Sequence, residues 1–232
     1  MPETLLEPLR RAADTEVRAG HPLRRESTFR LGGPARYFCA PPDAQALRRI
    51  WLEARRTGLP VFVLGGGSNV VFRDEGLPGL VLATRRLDHM LFSLDGRVRL
   101  GAGVVNGMLT AETVRRGLGG FEWASGLPGT VGGGVYMNAR CYGSSFGDNV
   151  DQIVAMRPDG SVATLSRNEC EFAYKSSVFQ QDDLVILEVA LKLSPGAGAE
   201  VGRRTEEVMA DRRAKGQFAL PSAGCVFKND YD

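Results

Sequence analysis

The chain has 232 residues, enough for one large domain or two small ones, and its 43% apolar and 24% charged content is ordinary for a soluble globular protein. A formal net charge of +2 does not call for nucleic acid, and Arg10-Arg11, Arg24-Arg25, Arg203-Arg204 and Arg212-Arg213 read as solvated helix or loop faces. No apolar stretch approaches the ~20 residues of a membrane span, and Glu3, Glu7 and Asp14 interrupt any signal-peptide core, so a cytoplasmic protein without membrane contact is expected.

In chain order, Pro42-Asp43 opens a helix with Leu47, Ile50, Trp51 and Ala54 on one face, closed by Gly58 and Pro60. Pro60 to Leu64 reads as a short buried strand and Gly79 to Ala83 as another. Val98, Leu100 and Ala102 alternate with Arg97, Arg99 and Gly101, the period-2 pattern of a half-buried strand. Asn106 is placed to cap a helix ending near Gly117. Ile153 to Met156 and Val162 to Leu165 flank Arg157-Pro158-Asp159-Gly160, a hairpin turn signal. Ser166 and Glu169 match a capping box. Val185, Leu187, Val189, Leu191 and Leu193 share one strand face, with Glu188 and Lys192 on the other. Pro195 to Gly198 reads as a linker, followed by a mostly charged helix to about Lys215. A small α/β unit followed by a larger antiparallel one suits an α+β fold better than a doubly wound one.

Two glycine-rich loops punctuate this order. Gly65-Gly66-Gly67-Ser68-Asn69 follows the apolar run Val61 to Leu64. Ser125-Gly126-Leu127-Pro128-Gly129-Thr130-Val131-Gly132-Gly133 is the second. Without a Cβ the backbone can approach a bulky anion and aim several N–H groups at it, so two such loops point to a large phosphate-bearing ligand. Neither Walker nor G-x-G-x-x-G spacing is present. Cys39, Cys141, Cys170 and Cys225 lack C-x-x-C spacing and read as reduced thiols. With only His21 and His89 present, no metal site is expected.

These loops, together with Ser27 to Ala35, Tyr136 to Ala139, Phe172 to Ser177 and Ser222 to Asn229, resemble the UDP-N-acetylenolpyruvoylglucosamine reductases of bacterial peptidoglycan synthesis. The resemblance implies a vanillyl-alcohol-oxidase/PCMH-type FAD-binding fold in two α/β subdomains over residues 30–195. A helical segment (1–29) would precede it, and an incomplete C-terminal substrate-binding domain (196–232) would follow. It implies non-covalent FAD, NADPH as co-substrate and a UDP-sugar enolpyruvyl ether as substrate, with oligomeric state left open. Gly65, Gly66, Gly67, Ser68 and Asn69 would cradle the FAD pyrophosphate. Ser125, Gly126, Pro128, Gly129, Thr130, Gly132 and Gly133 would pass close to the isoalloxazine and ribityl regions.

Cys225 lies where the family places its proton donor, usually serine and sometimes cysteine. Lys175 stands where the family usually has arginine, offering a point charge in place of a bidentate fork. Tyr136, Asn138, Tyr174, Lys228 and Asn229 are candidate substrate contacts. Family members continue well past residue 232 and carry there a glutamate thought to assist the reduction, so this chain is expected to be a fragment. Two alternatives stay open: an FAD-dependent sugar or alcohol oxidase of the same fold, and a catalytically inactive flavin-binding or assembly module.

Overall fold

The computed structural model describes residues 5–196 and 198–228. The stretch expected to be helical holds both helix α1 (Leu6–Ala13) and strand β1 (Val17–Pro22). β1 joins β2 (Pro34–Cys39), β3 (Val61–Leu64) and β4 (Leu77–Ala83) in a four-stranded sheet ordered β1-β2-β4-β3. β1 runs antiparallel to β2, whereas β4 runs parallel to both of its neighbours. Parallel strands need a crossover, and helix α2 (Ala44–Arg56) supplies the one between β2 and β3. Its first turn is capped by Asp43, whose carboxylate accepts the Ala46 N–H at 2.8 Å.

Both faces of this sheet carry apolar packing, which is why β3 and β4 read as mainly apolar runs. Tyr37, Cys39, Leu80 and Leu82 pack with α1 and α2, and Phe38, Val81 and Ala83 pack with Leu64 and Phe72 on the other side. The chain then passes through β5 (Met90–Phe92), β6 (Arg97–Gly101), α3 (Asn106–Arg116) and β7 (Leu118–Gly119). Next come α4 (Val131–Tyr136), β8 (Arg140–Cys141), β9 (Ser144–Ser145) and α5 (Phe146–Asn149). Strands β10 (Val150–Met156), β11 (Val162–Ser166) and β12 (Val185–Lys192) complete an antiparallel sheet ordered β11-β10-β12-β6-β5. The α+β expectation and the hairpin at Arg157 to Gly160 hold.

Four local readings change. Asn106 is the first residue of α3, and Val105 takes the cap position. The Ser166–Glu169 capping box, by contrast, holds, its reciprocal bonds enclosing one 3-10 turn, Asn168–Cys170. β12 is central in its sheet, so Ile186 and Ala190 are buried as well as the expected face. The linker is short: β13 (Ser194–Pro195) pairs with β7, and α6 (Gly198–Ala214) follows. α6 packs on α3 and on the 3-10 turn Glu122–Ala124, so Arg212 is buried, not solvated.

Phe121, Trp123 and Phe146 meet edge to face, centroids 5.3–5.5 Å apart, inside the larger core. α2 ties the two sheets together, because Trp51 Nε1 donates to the Pro158 carbonyl at 3.1 Å and Arg48 Nε to that of Gly160 at 2.7 Å. Among the described residues no helix is long and apolar enough to cross a membrane.

Candidate functional site

The first glycine loop leaves the end of β3 and locks onto the second. A Cβ on Gly66 would stand 2.5 Å from the Gly129 Cα, and one on Gly67, where φ is +64°, would stand 1.8 Å from the Glu26 carbonyl oxygen. Ser68 Oγ donates to the Pro128 carbonyl at 3.3 Å, and the Thr28 N–H donates to that of Gly67 at 3.0 Å. Glycine at 66 and 67 is therefore required by protein backbone, not only by a ligand. Among the described residues, the N–H groups of Gly66, Gly67, Ser68 and Asn69 have no hydrogen-bond acceptor in the protein. A run of such donors is an anion-binding concavity.

The second loop divides into two parts. Ser125 is buried with its hydroxyl donating to the Glu122 carbonyl at 2.6 Å, Gly126 lies under Met209, Arg212 and Phe218, and Gly132 abuts Ala102. These three face protein. Pro128, Gly129 and Gly133 border the first loop's open side, and Gly133 is exposed, with only Thr130 Oγ1 within reach of an added Cβ. Thr130 is buried and caps α4. Asn106 lies beneath this stretch, its N–H donating to the Gly129 carbonyl at 3.1 Å, while its Oδ1 is buried with no partner among the described residues.

α4 rises about 9 Å over its six residues, and at its far end stands the turn carrying Lys175. Ala173 and Ser176 exchange two backbone bonds of 3.1 and 3.2 Å around Tyr174-Lys175. Lys175 is half-buried and left-handed, φ 56°. Asn138, expected in the substrate wall, is itself left-handed and buried, and engages both ends of its carboxamide with protein. Nδ2 donates to the Ala173 carbonyl at 2.8 Å, and Oδ1 accepts the Gly147 N–H at 3.0 Å. Gln180 Nε2 holds the Tyr136 and Lys175 carbonyls at 2.8 and 3.2 Å, and Ser177 Oγ donates to Tyr136 at 2.7 Å. Arg140 stacks over the Tyr174 ring at 5.8 Å. The Tyr136 side chain is exposed.

Near this turn, Cys141 donates to the Trp123 carbonyl at 3.1 Å and accepts from Arg212 Nη2 at 3.0 Å. Burial pushes its thiol up, opposed by Arg212 and, more weakly, by Lys175. Burial also pushes Cys39 up to about 12 and Cys170 to about 11, so both remain inert thiols.

Cys225 is exposed, unlike Cys39 and Cys170. Its segment lies against the first glycine loop: Thr28 Oγ1 donates to the Ser222 carbonyl at 2.6 Å, and Gly224 packs beside the Asn69 carboxamide. Lys228 is exposed, and Asn229 lies outside the described residues. The roles of Asn138, Glu26 and Asn106 escaped sequence reading, because each acts on partners far along the chain. The free N–H run and the space over Gly133 fit a diphosphate-bearing cofactor such as FAD.

Residues 35–166 match the family model described as an FAD binding domain. The UDP-N-acetylenolpyruvoylglucosamine reductase of Synechococcus sp. (strain JA-3-3Ab) is 37% identical over 92% of this chain and 69% of its own length. That of Staphylococcus aureus (strain COL) is 32% identical with the same coverage. The crystal structure of the Thermus caldophilus UDP-N-acetylenolpyruvylglucosamine reductase superposes with a TM-score of 0.77 at 32% identity, covering 93% of this chain and 74% of that one. Berberine bridge enzyme, at 15% identity and a TM-score of 0.63, shares the fold alone. The chain belongs to the UDP-N-acetylenolpyruvoylglucosamine reductase family of FAD-binding proteins.

Proposed function

We propose that this chain binds FAD non-covalently and reduces UDP-N-acetylglucosamine enolpyruvate to UDP-N-acetylmuramate with NADPH, in peptidoglycan precursor synthesis. The observation carrying this reading is the run of free N–H groups from Gly66 to Asn69, bordered by the second loop and by the segment of Cys225. Bound FAD supplies the relay of hydride from NADPH to the vinyl carbon of the enolpyruvyl ether.

The residues do the rest. The N–H groups of Gly66 to Asn69 hold the pyrophosphate, and Gly133 leaves room for the cofactor to lie close. Hydride arrival at the vinyl carbon drives negative charge toward the substrate carboxylate, and the Lys175 ammonium offsets it. Asn138, Ser177 and Gln180 fix the backbone around Lys175, so the cation is placed before substrate arrives. Cys225 gives its thiol proton to the adjacent carbon, an easier donation than from serine because a thiol is intrinsically the stronger acid. Tyr174, Tyr136, Lys228 and Asn229 remain the proposed substrate contacts.

Anaerobic rapid mixing tests this by separating flavin reduction by NADPH from flavin reoxidation by the enolpyruvyl substrate. Cys225→Ala is expected to leave the first nearly intact and slow the second by roughly 10²–10⁴-fold, the usual effect of losing a general acid. Cys225→Ser is expected to recover much of it. An undiminished reoxidation rate per bound flavin in the alanine variant removes Cys225 from the mechanism.

A further inference from the structure

Behind the first glycine loop lies a cluster that the mechanism above does not use. Glu26 Oε1 meets His21 Nε2 at 2.7 Å and Glu26 Oε2 accepts from Arg85 Nη1 at 2.6 Å, with side-chain exposures of 10% for Glu26 and 6% for His21. His21 stacks on Phe38 with centroids 4.2 Å apart, and the Arg85 guanidinium lies 5.3 Å from the same ring. The carboxylate is thus gripped from both sides by groups anchored on β1 and just after β4. A carboxylate this buried is stable only when so paired.

Glu26 also touches the site through its backbone. Its carbonyl oxygen packs directly on Gly67, and the next two residues continue the contact. The Thr28 N–H donates to the Gly67 carbonyl, and Thr28 Oγ1 to the Ser222 carbonyl. One short strap, Glu26-Ser27-Thr28, therefore bears on the phosphate loop and on the segment carrying Cys225.

We propose that Glu26 is a positioning residue for this reaction. Clamped by His21 and Arg85, it sets where the strap meets Gly67 and, through Thr28, where the Ser222 to Cys225 segment lies. The inference deepens the function proposed above and rests on the cradle at Gly66 to Asn69.

The test uses the full chain loaded with FAD. Glu26→Ala is expected to raise the FAD dissociation constant by about 10-fold or more, since it removes two charge-assisted bonds, and to shift the visible flavin absorption band. Per bound flavin, reoxidation by the enolpyruvyl substrate is expected to slow several-fold more than reduction by NADPH. Glu26→Gln, which keeps the shape of the side chain, should fall between wild type and alanine on every readout. Thr28→Val, which cuts the bond to Ser222 and the longer 3.4 Å contact of the same hydroxyl with the Gly67 carbonyl, should change FAD affinity far less than Glu26→Ala does and slow reoxidation selectively. If both Glu26 variants lower only the melting temperature, with FAD affinity, spectrum and the ratio of half-reactions unchanged, Glu26 is a fold-stabilising residue and the proposal fails. The FAD arm needs no enolpyruvyl substrate. A wild-type chain that binds FAD but does not turn over would therefore overturn the function above, while the affinity and spectrum still decide the role of Glu26.

Discussion

Lys175 occupies left-handed backbone, which costs a residue with a Cβ roughly 1–2 kcal/mol, and three side chains hold it there. In the proposed mechanism two requirements meet at one position: a cation for the substrate carboxylate and a turn that glycine would make more cheaply. Lys175→Gly should relieve the strain and, after glycine's greater chain entropy is subtracted, leave stability unchanged or raised by up to about 1 kcal/mol. It should nonetheless slow substrate-dependent flavin reoxidation by ~10-fold or more, while NADPH-dependent reduction changes little. Lys175→Arg should keep most of the activity. Thermal melts beside half-reaction kinetics check this, and a parallel loss of both half-reactions would reassign Lys175 to structure.

The four cysteines divide by the same kind of local argument. Cys225 is exposed, whereas Cys39 and Cys170 are buried and pushed up to about 12 and 11. A thiol-alkylating reagent at pH 8 should modify Cys225 first and leave Cys39 and Cys170 until the chain unfolds, as read by mass spectrometry of digests. The two raised thiols add no pH dependence to stability below about pH 9, their unfolded value. Above it the unfolded chain releases protons that the native one retains, so stability should fall as pH rises toward 12.

At the scale of elements, the two loops and α4 act as one unit, and this changes how a glycine substitution must be read. Gly66→Ala pushes a methyl into the Gly129 backbone and should cost about 1–3 kcal/mol even without cofactor. Loss of flavin by that variant therefore says little about phosphate approach. Gly133→Ala is the cleaner probe, because its methyl meets only Thr130 Oγ1 at 3.5 Å. Inside α4 it should stabilise the apoprotein by up to ~1 kcal/mol while weakening FAD binding. Calorimetric melts of the apoprotein with FAD titrations test the pair. If Gly133→Ala binds FAD as tightly as wild type, the cofactor does not lie over α4.

Across the whole molecule, what was legible in the sequence was written in local chemistry. Asp43 caps α2, Asp159-Gly160 turns the hairpin, and Gly65 to Asn69 follow a strand as their spacing implied. The rest depended on distant partners. Arg212 looked like one of four solvated pairs, and only the docking of α6 on Gly126 and Cys141 buries it. Asn138 resembled a wall residue until Ala173 and Gly147 took its carboxamide. Glu26 carried no signal, because His21, Arg85 and Gly67 are neighbours only after β1, β3 and β4 assemble.

The bond from Thr28 to Ser222 joins residues 194 apart in sequence, and it does so against the first glycine loop. Contacts of such long separation bear the largest loop-closure cost and form late in folding. During synthesis, residues 61–69 leave the ribosome long before Ser222 exists, so the cradle can assemble before the Cys225 segment docks against it. Flavin uptake and assembly of the proposed proton-donating segment thus come apart in time: a nascent chain not yet extended to Ser222 would already hold the cofactor on its glycine loops, and Cys225 would reach it only afterwards.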